Sequence, residues 1–151
     1  MKYKIIQNPH PTLRKVAAPV TDFKDPELPA LIRDMKETMV ENDGWGLAAP
    51  QIDKSIALFV TLDEVGVGGH TIFINPKILS TSKNQEIEEE GCLSFLGDMS
   101  DIHRPFQVTI SAQDEQEKSF TVTGEGLAAR VFLHETDHLN GILFIDHLHE
   151  F

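Results

Sequence analysis

The clearest helical pattern in the chain covers residues 27–42. Its apolar side chains recur every three or four positions with charged side chains between them, as in an amphipathic helix that buries one face. The apolar positions are Leu28, Leu31, Ile32, Met35 and Met39. Asp43 and Gly44 follow directly, and Gly44 suits the left-handed turn that often ends a helix.

Two further segments carry helical patterns. Residues 9–17 predict a short helix that ends before Pro19. Residues 126–139 predict a longer helix with Leu127, Val131 and Leu133 among its apolar positions, and Gly141 follows its end.

Short segments rich in β-branched and apolar residues occupy the middle of the chain, separated by glycine, asparagine and aspartate turns. The predicted strands are residues 55–62, 70–74, 78–82, 87–94, 106–112 and 119–124. Strands followed by one late helix predict an α+β fold, with mostly antiparallel sheets packed around that central helix. No repeat or linker divides residues 1–151, so we expect a single domain.

Charge and cysteine content narrow the functional classes. The 24 acidic residues outnumber the 13 basic ones, and the formal net charge is −11. A phosphate backbone would be repelled, so direct nucleic-acid binding is not expected. No segment approaches the roughly 20 apolar residues of a membrane span, and no apolar targeting segment opens the chain. A single cysteine cannot form an internal disulfide, which suits a reducing cytoplasm.

The sequence HETDH lies within the last predicted helix. His134 and His138 are one turn apart on the same face, so both imidazoles can reach one metal ion. Glu135 lies beside the first of them, where it can take a proton from metal-bound water. This pattern indicates a metal-dependent hydrolase.

A catalytic metal of this kind needs a third protein ligand. The zinc proteases with a downstream histidine would have it at residue 144, where this chain has Phe144. The short tail offers His147, His149 and Glu150, which the spacing disfavours without excluding them. Upstream, Cys92 is the only cysteine in the chain, and a thiolate with two imidazoles is an open site for zinc or ferrous iron.

Two more motifs upstream of HETDH contain candidate site residues. Residues 44–51 read GWGLAAPQ, where small residues let backbone approach a ligand and Gln51 offers an amide donor. Residues 90–94 read EGCLS around Cys92. These two motifs and HETDH, in this order and at these intervals, resemble the peptide deformylase family. The resemblance extends over about residues 5–146.

The resemblance implies a reaction and a cofactor. Peptide deformylases hydrolyse the N-formyl group from the N-terminal methionine of newly made polypeptides. They bind one divalent metal per chain, Fe(II) in the cell, which Zn(II), Ni(II) or Co(II) can replace. Carried over to this sequence, the metal ligands are Cys92, His134 and His138.

Catalytic roles follow from the same resemblance. Glu135 is expected to act as general base and then to pass the proton to the leaving amine. The side chain of Gln51, the backbone N–H of Leu93 and the metal are expected to stabilise the negative charge on the formyl oxygen. Gly46 is expected to approach the substrate backbone.

Substrate-binding and supporting residues can also be assigned. The methionine pocket is expected to include Trp45, Leu127, Val131 and the stem of Arg130, although Trp45 could equally belong to the core. Gly44 and Gly91 are expected beside the substrate. The family pattern pairs Glu90 with Arg104 near the metal. Asp137 is expected to orient a ligand histidine, or else to be an exposed helix carboxylate.

Three positions depart from the family pattern. Leu96 replaces a proline, Met99 replaces an arginine that contacts the peptide backbone in many members, and Thr136 replaces methionine between the two histidines. Trp45 also stands where the family more often has a smaller aliphatic residue. Leu96, Met99 and Trp45 favour, as the main alternative, a relative with altered N-acyl or substrate preference. A zinc endopeptidase is the more distant alternative, since it would have no need of Cys92.

The resemblance also predicts partners and location. The substrates are N-formylmethionyl nascent peptides, so we expect the cytoplasm of a bacterium or of a phage-infected bacterial host. The sequence continues only 13 residues past His138, which predicts a minimal form without the C-terminal extension implicated in ribosome docking. Any ribosome association is therefore expected to be transient.

Overall fold

The structure is a computed structural model that describes residues 3–150, with side chains to residue 148. Within these residues the chain forms two α-helices and seven strands, an α+β fold with antiparallel sheets, as predicted. The helices are α1 (Glu27–Glu41) and α2 (Leu127–Leu139). The strands are β1 (Gly46–Ala48), β2 (Leu58–Thr61), β3 (Ile72–Thr81), β4 (Gln85–Cys92), β5 (Phe95–Pro105), β6 (Gln107–Gln113) and β7 (Ser119–Glu125).

The strands form one large sheet and one two-stranded ribbon. The large sheet has the order β1-β2-β3-β6-β7, and every neighbouring pair in it is antiparallel. The ribbon pairs β4 with β5, from Gln85 opposite Pro105 to Gly91 opposite Met99. A short 3₁₀ helix, Phe144–Glu150, packs against this ribbon.

Helix α2 packs on the large sheet through aromatic side chains. Phe132 is fully buried and meets the rings of Phe73 and Phe59 at centroid distances of 4.8 and 6.4 Å. Phe59 and Phe73 stack on each other at 4.6 Å. Because α2 also contacts β1 and β5, it lies where the sheet and the ribbon meet, and this placement brings His134 and His138 between them.

Helix α1 covers another part of the sheet. Its buried side chains, which include Ile32, Met35 and Met39, join a core with Leu58 and Val60 of β2. This arrangement agrees with the apolar stripe read from the sequence. No helix among residues 3–150 is both long and apolar enough to span a membrane.

The predicted helix over residues 9–17 is wrong except for one 3₁₀ turn, Pro11–Arg14. The His10 ring accepts a hydrogen bond from the Thr12 N–H at the start of this turn. After it, the backbone N–H of Ala17 donates to Leu139 O and that of Ala18 donates to Ser55 O. These long-range bonds hold the segment in an extended conformation and replace the bonds a helix would make.

The strand predictions differ from the structure in three places. The segments 70–74 and 78–82 form the single strand β3, which continues past Pro76 through a register shift, where the missing N–H is tolerated. Strands β1 and β5 were not predicted. Strand β5 contains several polar residues and one glycine, and it forms by pairing along β4.

The end of α1 also differs from expectation. The residue with left-handed backbone is Asp43, with φ of 57°, and Gly44 is not in that region. Gly44 is needed for space, since a Cβ there would lie 2.7 Å from Leu93 Cδ1. The glycine therefore allows close approach of two segments.

Truncating Phe132 tests how α2 is held on the sheet. We expect Phe132→Ala to lower the free energy of unfolding by about 3–5 kcal/mol, because it leaves a cavity beside Phe59 and Phe73. Urea denaturation of the metal-loaded protein measures this. Leu96→Ala, which removes a side chain that is 72% exposed, serves as control and should change stability by less than about 0.5 kcal/mol. A loss below about 1 kcal/mol for Phe132→Ala would contradict this packing.

Candidate active site

Three potential metal ligands converge from two elements. Helix α2 contributes His134 and His138, and the end of β4 contributes Cys92. Their donor atoms all lie within 4.8 Å of one another, and Cys92 Sγ is 3.3 Å from His138 Nε2. Ligands around a tetrahedral zinc or iron ion are roughly 3–4 Å apart, so this thiolate and two imidazoles fit one such ion.

The orientation of His134 is set by a buried carboxylate. His134 Nδ1 is 2.6 Å from Glu90 Oε2, and both side chains are buried. Because the ionised carboxylate can only accept, Nδ1 carries the hydrogen and donates it to Glu90. The lone pair is then on Nε2, which faces the other two ligands and suits metal binding.

The Glu90 carboxylate also accepts hydrogen bonds from two guanidinium groups. Arg104 donates from Nη2 to Oε2 (2.8 Å) and from Nε to Oε1 (3.1 Å), and Arg130 Nη1 donates to Oε1 (3.0 Å). Burial alone would raise the pKa of the Glu90 carboxyl, but the hydrogen bonds from His134 and Arg104 hold it well below its usual value. Glu90 is therefore ionised, and it joins α2 to both strands of the ribbon.

Asp137 has a different partner from the one predicted. Its carboxylate accepts from Arg104 Nη1 at 2.7 Å and lies 2.9 Å from His147 Nε2. Among the described contacts, Glu90 and not Asp137 orients a ligand histidine. His147, left open as a third ligand by the sequence, faces Asp137, while the side chain of His149 lies outside the described residues.

Glu135 is a desolvated carboxylate beside the ligand cluster. It is 4% exposed, and its Oε2 is 4.0 Å from His134 Nε2. Burial raises the pKa of Glu135 to about 7. Its Oε1 is buried without a hydrogen-bond partner among the described residues, whereas Oε2 faces the ligand cluster.

Gln51 is fixed with its NH₂ group toward Cys92. The backbone N–H of Ala48 donates to Gln51 Oε1 at 3.0 Å, which identifies the oxygen of the amide. Gln51 Nε2 is 3.2 Å from Ser94 Oγ and 3.6 Å from Cys92 Sγ. The donor predicted from the sequence therefore points into the site.

Gly46 lies against the carboxylate of Glu135. A Cβ at this position would be 2.9 Å from both Glu135 Oε2 and Val131 Cγ1. Only glycine leaves this space open. Gly91 also lies directly against a side chain, since an added Cβ would clash with the sulfur of Met99.

These groups open into a cleft of about 320 Å³. Six of the predicted substrate-contacting residues line it: Gly44, Trp45, Gly46, Gly91, Arg130 and Val131. Trp45 is 54% exposed, so it belongs to the cleft wall and not to the core. Leu127 is 45% exposed and is not among the residues that line the cleft.

The guanidinium group of Arg130 also makes structural hydrogen bonds. Besides Glu90, its guanidinium donates to the backbone carbonyls of Ile102 and Glu86, each at 3.0 Å. The charged group is thereby held in the interior, where it fastens the ribbon to α2. Sequence patterns alone did not indicate these contacts.

Two supporting residues were missed. Ser94 is buried and bonds Gln51, and its place in the EGCLS motif was the available signal. Gln7 Nε2 donates to Leu93 O at 2.8 Å, and the N–H of Asn8 donates to Ser94 O. The N-terminal segment thus holds the turn that carries Leu93, a long-range contact with no local signature.

Comparison with known proteins decides the family. The family model described as polypeptide deformylase matches residues 2–151. The chain belongs to the polypeptide deformylase family. It is 44% identical to the peptide deformylase of Natranaerobius thermophilus over 149 residues, which are 97% of this chain and 92% of that protein.

Solved deformylase structures agree with this assignment. The crystal structure of the Thermotoga maritima peptide deformylase has a TM-score of 0.91 at 44% identity and covers 97% of each chain. A Met-Ala-Ser-bound class I type b enzyme from Acinetobacter baumannii has a TM-score of 0.92 at 29% identity, covering 98% of this chain and 99% of that one. The activity of the protein is peptide deformylation, the hydrolytic removal of the N-formyl group from the N-terminal methionine of new polypeptides.

Neutralising Glu90 tests the role of the buried carboxylate in this deformylase. We expect Glu90→Gln to lower the free energy of unfolding by about 3–5 kcal/mol, because Arg130 loses the carboxylate it pairs with and Arg104 keeps only Asp137. Metal affinity should fall about 10- to 100-fold as His134 loses its ionised acceptor. Urea denaturation and competitive chelator titration measure these effects. Glu88→Gln, an exposed change on the same strand, is the control; equal behaviour of the two variants would contradict the assignment.

Proposed function

We propose that Cys92, His134 and His138 hold one divalent metal in this deformylase, Fe(II) under physiological conditions, with Zn(II), Ni(II) or Co(II) able to replace it. The observation that supports this most directly is the convergence of their three donor atoms within 4.8 Å. Such a metal, when bound, supplies Lewis-acid activation of water and of the formyl oxygen. The thiolate also brings a negative charge to the ligand set.

Glu135 is the proposed general base. Its carboxylate is buried beside His134, and the pKa near 7 matches a group that must both accept and release a proton at neutral pH. It takes a proton from the attacking water and delivers it to the departing amine nitrogen. Oε2, the carboxylate oxygen nearer His134 Nε2, is the proposed acceptor of that proton.

Gln51 and Leu93 are the proposed donors to the oxygen of the formyl group. Gln51 Nε2 lies near Cys92 with its amide fixed by Ala48, so the donor is positioned before the reaction. Leu93 lines the same cleft, and its backbone N–H is the second donor. Gly46 keeps the space between the substrate backbone and Glu135 clear.

The cleft is the proposed binding site for N-formylmethionyl peptides. The structural relative bound to Met-Ala-Ser supports this substrate class. Val131, the stem of Arg130 and Trp45 would contact the methionine side chain or the residues that follow it. Leu127 is not part of this proposal, because it lies outside the cleft.

The proposed function covers a single catalytic domain of residues 1–151, with α2 as the central helix around which the sheets are arranged. We place the enzyme in the cytoplasm of a bacterium or of a phage-infected bacterial host, where formylated nascent peptides arise. Ribosome association, where it occurs, would be transient.

Altered acyl preference remains the second candidate, and two exposed residues favour it. Leu96 and Met99 line the cleft in place of the family's proline and arginine. Thr136, the third departure, is buried on α2 and does not line the cleft. Only the first two therefore bear on substrate choice.

The experiment loads the protein with Fe(II) anaerobically and measures free-amine release from formyl-Met-Ala-Ser, with acetyl-Met-Ala-Ser as comparison. We expect rapid release from the formyl peptide. Glu135→Gln should lower kcat by roughly 10²–10⁴-fold, because the proton acceptor is lost while the ligands remain. Metal content, measured by elemental analysis, should be unchanged in the variant.

The alternatives give different results. Faster release from another acyl group would favour the second candidate. Full activity of Glu135→Gln would overturn the role of this carboxylate, and absence of release from every peptide at one metal per chain would overturn the assigned site.

A further inference from the structure

Ser94 is a buried residue that lies behind the wall of the cleft. It is 1% exposed and belongs to the turn between β4 and β5. Its neighbours Cys92, Leu93 and Phe95 line the cleft, whereas Ser94 does not. A buried hydroxyl costs free energy unless it is hydrogen-bonded, and Gln51 Nε2 supplies a bond to it at 3.2 Å. Any part that Ser94 plays in the reaction therefore passes through another side chain.

The side-chain amide of Gln51 is held at both of its polar atoms. Its Oε1 accepts the N–H of Ala48 at 3.0 Å, and its Nε2 donates to Ser94 Oγ. The first bond places the oxygen but leaves the amide plane free to turn about that point. The second bond fixes the plane, because the oxygen, the nitrogen and the carbon that joins them to the chain are then all placed. Gln51 is itself buried, so the protein supplies these partners and bulk water does not.

The bond to Ser94 also decides where the remaining donor of the amide points. An amide nitrogen carries two hydrogens, and Ser94 Oγ accepts one of them. The other is directed toward Cys92 Sγ, which is 3.6 Å from Gln51 Nε2. The formyl oxygen is proposed to accept its hydrogen bond on this side of the cleft. A donor that is aimed before the reaction needs no reorganisation as negative charge develops.

One short segment near the start of the chain holds Gln51 and Ser94 beside each other. The N–H of Ile6 donates to Gln51 O at 2.8 Å, and the N–H of Asn8 donates to Ser94 O at 3.0 Å. Gln51 and Ser94 are 43 residues apart in the sequence, so these contacts tie together two distant parts of the chain. The side-chain bond between the two residues therefore lies between backbones that are already joined.

We propose that Ser94 is a positioning residue for deformylation. Its hydroxyl oxygen accepts one hydrogen of the Gln51 amide and thereby aims the other hydrogen at the formyl oxygen. This inference rests on the proposed function, in which Gln51 stabilises the negative charge on that oxygen.

Steady-state kinetics of metal-loaded Ser94→Ala with formyl-Met-Ala-Ser test the inference. We expect kcat to fall roughly tenfold, less than the roughly 10²–10³-fold loss that follows removal of a whole donor, because Gln51 remains but is poorly aimed. KM should change by less than about twofold, since the affected bond gains strength only in the transition state. The substitution removes one oxygen atom and keeps the backbone bond from Asn8, so the turn should stay folded. Ser111→Ala, the same change in β6 and outside the cleft lining, is the control and should retain kcat.

A double-mutant cycle with Gln51→Ala separates positioning from a general structural effect. Gln51→Ala alone should lower kcat by roughly 10²–10³-fold. Adding Ser94→Ala should lower kcat further by less than about twofold, because the group that Ser94 positions is then absent. A merely structural loss would lower kcat by the same factor in both backgrounds.

Nuclear magnetic resonance observes the amide directly and without turnover. The two side-chain NH₂ hydrogens of Gln51 in the Zn(II)-loaded protein are assigned by their absence in Gln51→Ala. We expect these signals to shift in Ser94→Ala, because one hydrogen loses its acceptor, and to stay in place in Ser111→Ala.

The outcomes distinguish this inference from the proposed role of Gln51. Unchanged kcat in Ser94→Ala, or an equal loss in both backgrounds, would overturn the positioning role and leave the role of Gln51 intact. A fall in kcat with unshifted Gln51 signals would also overturn it, since the loss would then have another cause. Full activity of Gln51→Ala would overturn the proposed role of Gln51 and this inference with it.

Discussion

The carboxylate of Glu90 lies in the interior, and three side chains from two other elements donate to it. Arg104 comes from β5, and Arg130 and His134 come from α2. A buried charge that loses one partner costs several kcal/mol, so the three contacts must form together or not at all. This requirement fixes the ribbon on α2 and brings Cys92, two residues from Glu90, to the histidines.

Buried hydrogen bonds also orient side chains of the site in the absence of substrate. Glu90 determines which nitrogen of His134 faces the metal position, and Ala48 determines which end of the Gln51 amide faces Cys92. Gly46 lets the edge of the large sheet approach Glu135 within van der Waals range. His134 and Gln51 are thus each oriented by a buried neighbour, which is the condition for strong electrostatic stabilisation in the proposed reaction.

The candidate site residues could be predicted from the sequence more completely than the strands and tertiary contacts around them. His134 and His138 are separated by one helical turn, so their convergence follows from helix geometry, and Cys92 stood out as the only cysteine. Strand β5 escaped detection because its polar residues gain strand structure only from β4. The partner of His134 could not be derived either: Asp137 is close in sequence, yet Glu90 reaches the ring through the tertiary fold.

We infer that the Glu90 network places the proposed metal ligands and contributes little net stability. The most direct test replaces Glu90→Leu, Arg104→Met, Arg130→Leu and Asp137→Asn together, so that no carboxylate loses its guanidinium partner, and measures both unfolding and metal affinity. Apolar side chains of similar size in place of a buried ionic cluster often leave stability equal or higher. We expect a folded protein of at least equal stability whose metal affinity is about 10- to 100-fold weaker. A variant that unfolds, or one that binds metal as tightly as the original, would contradict it.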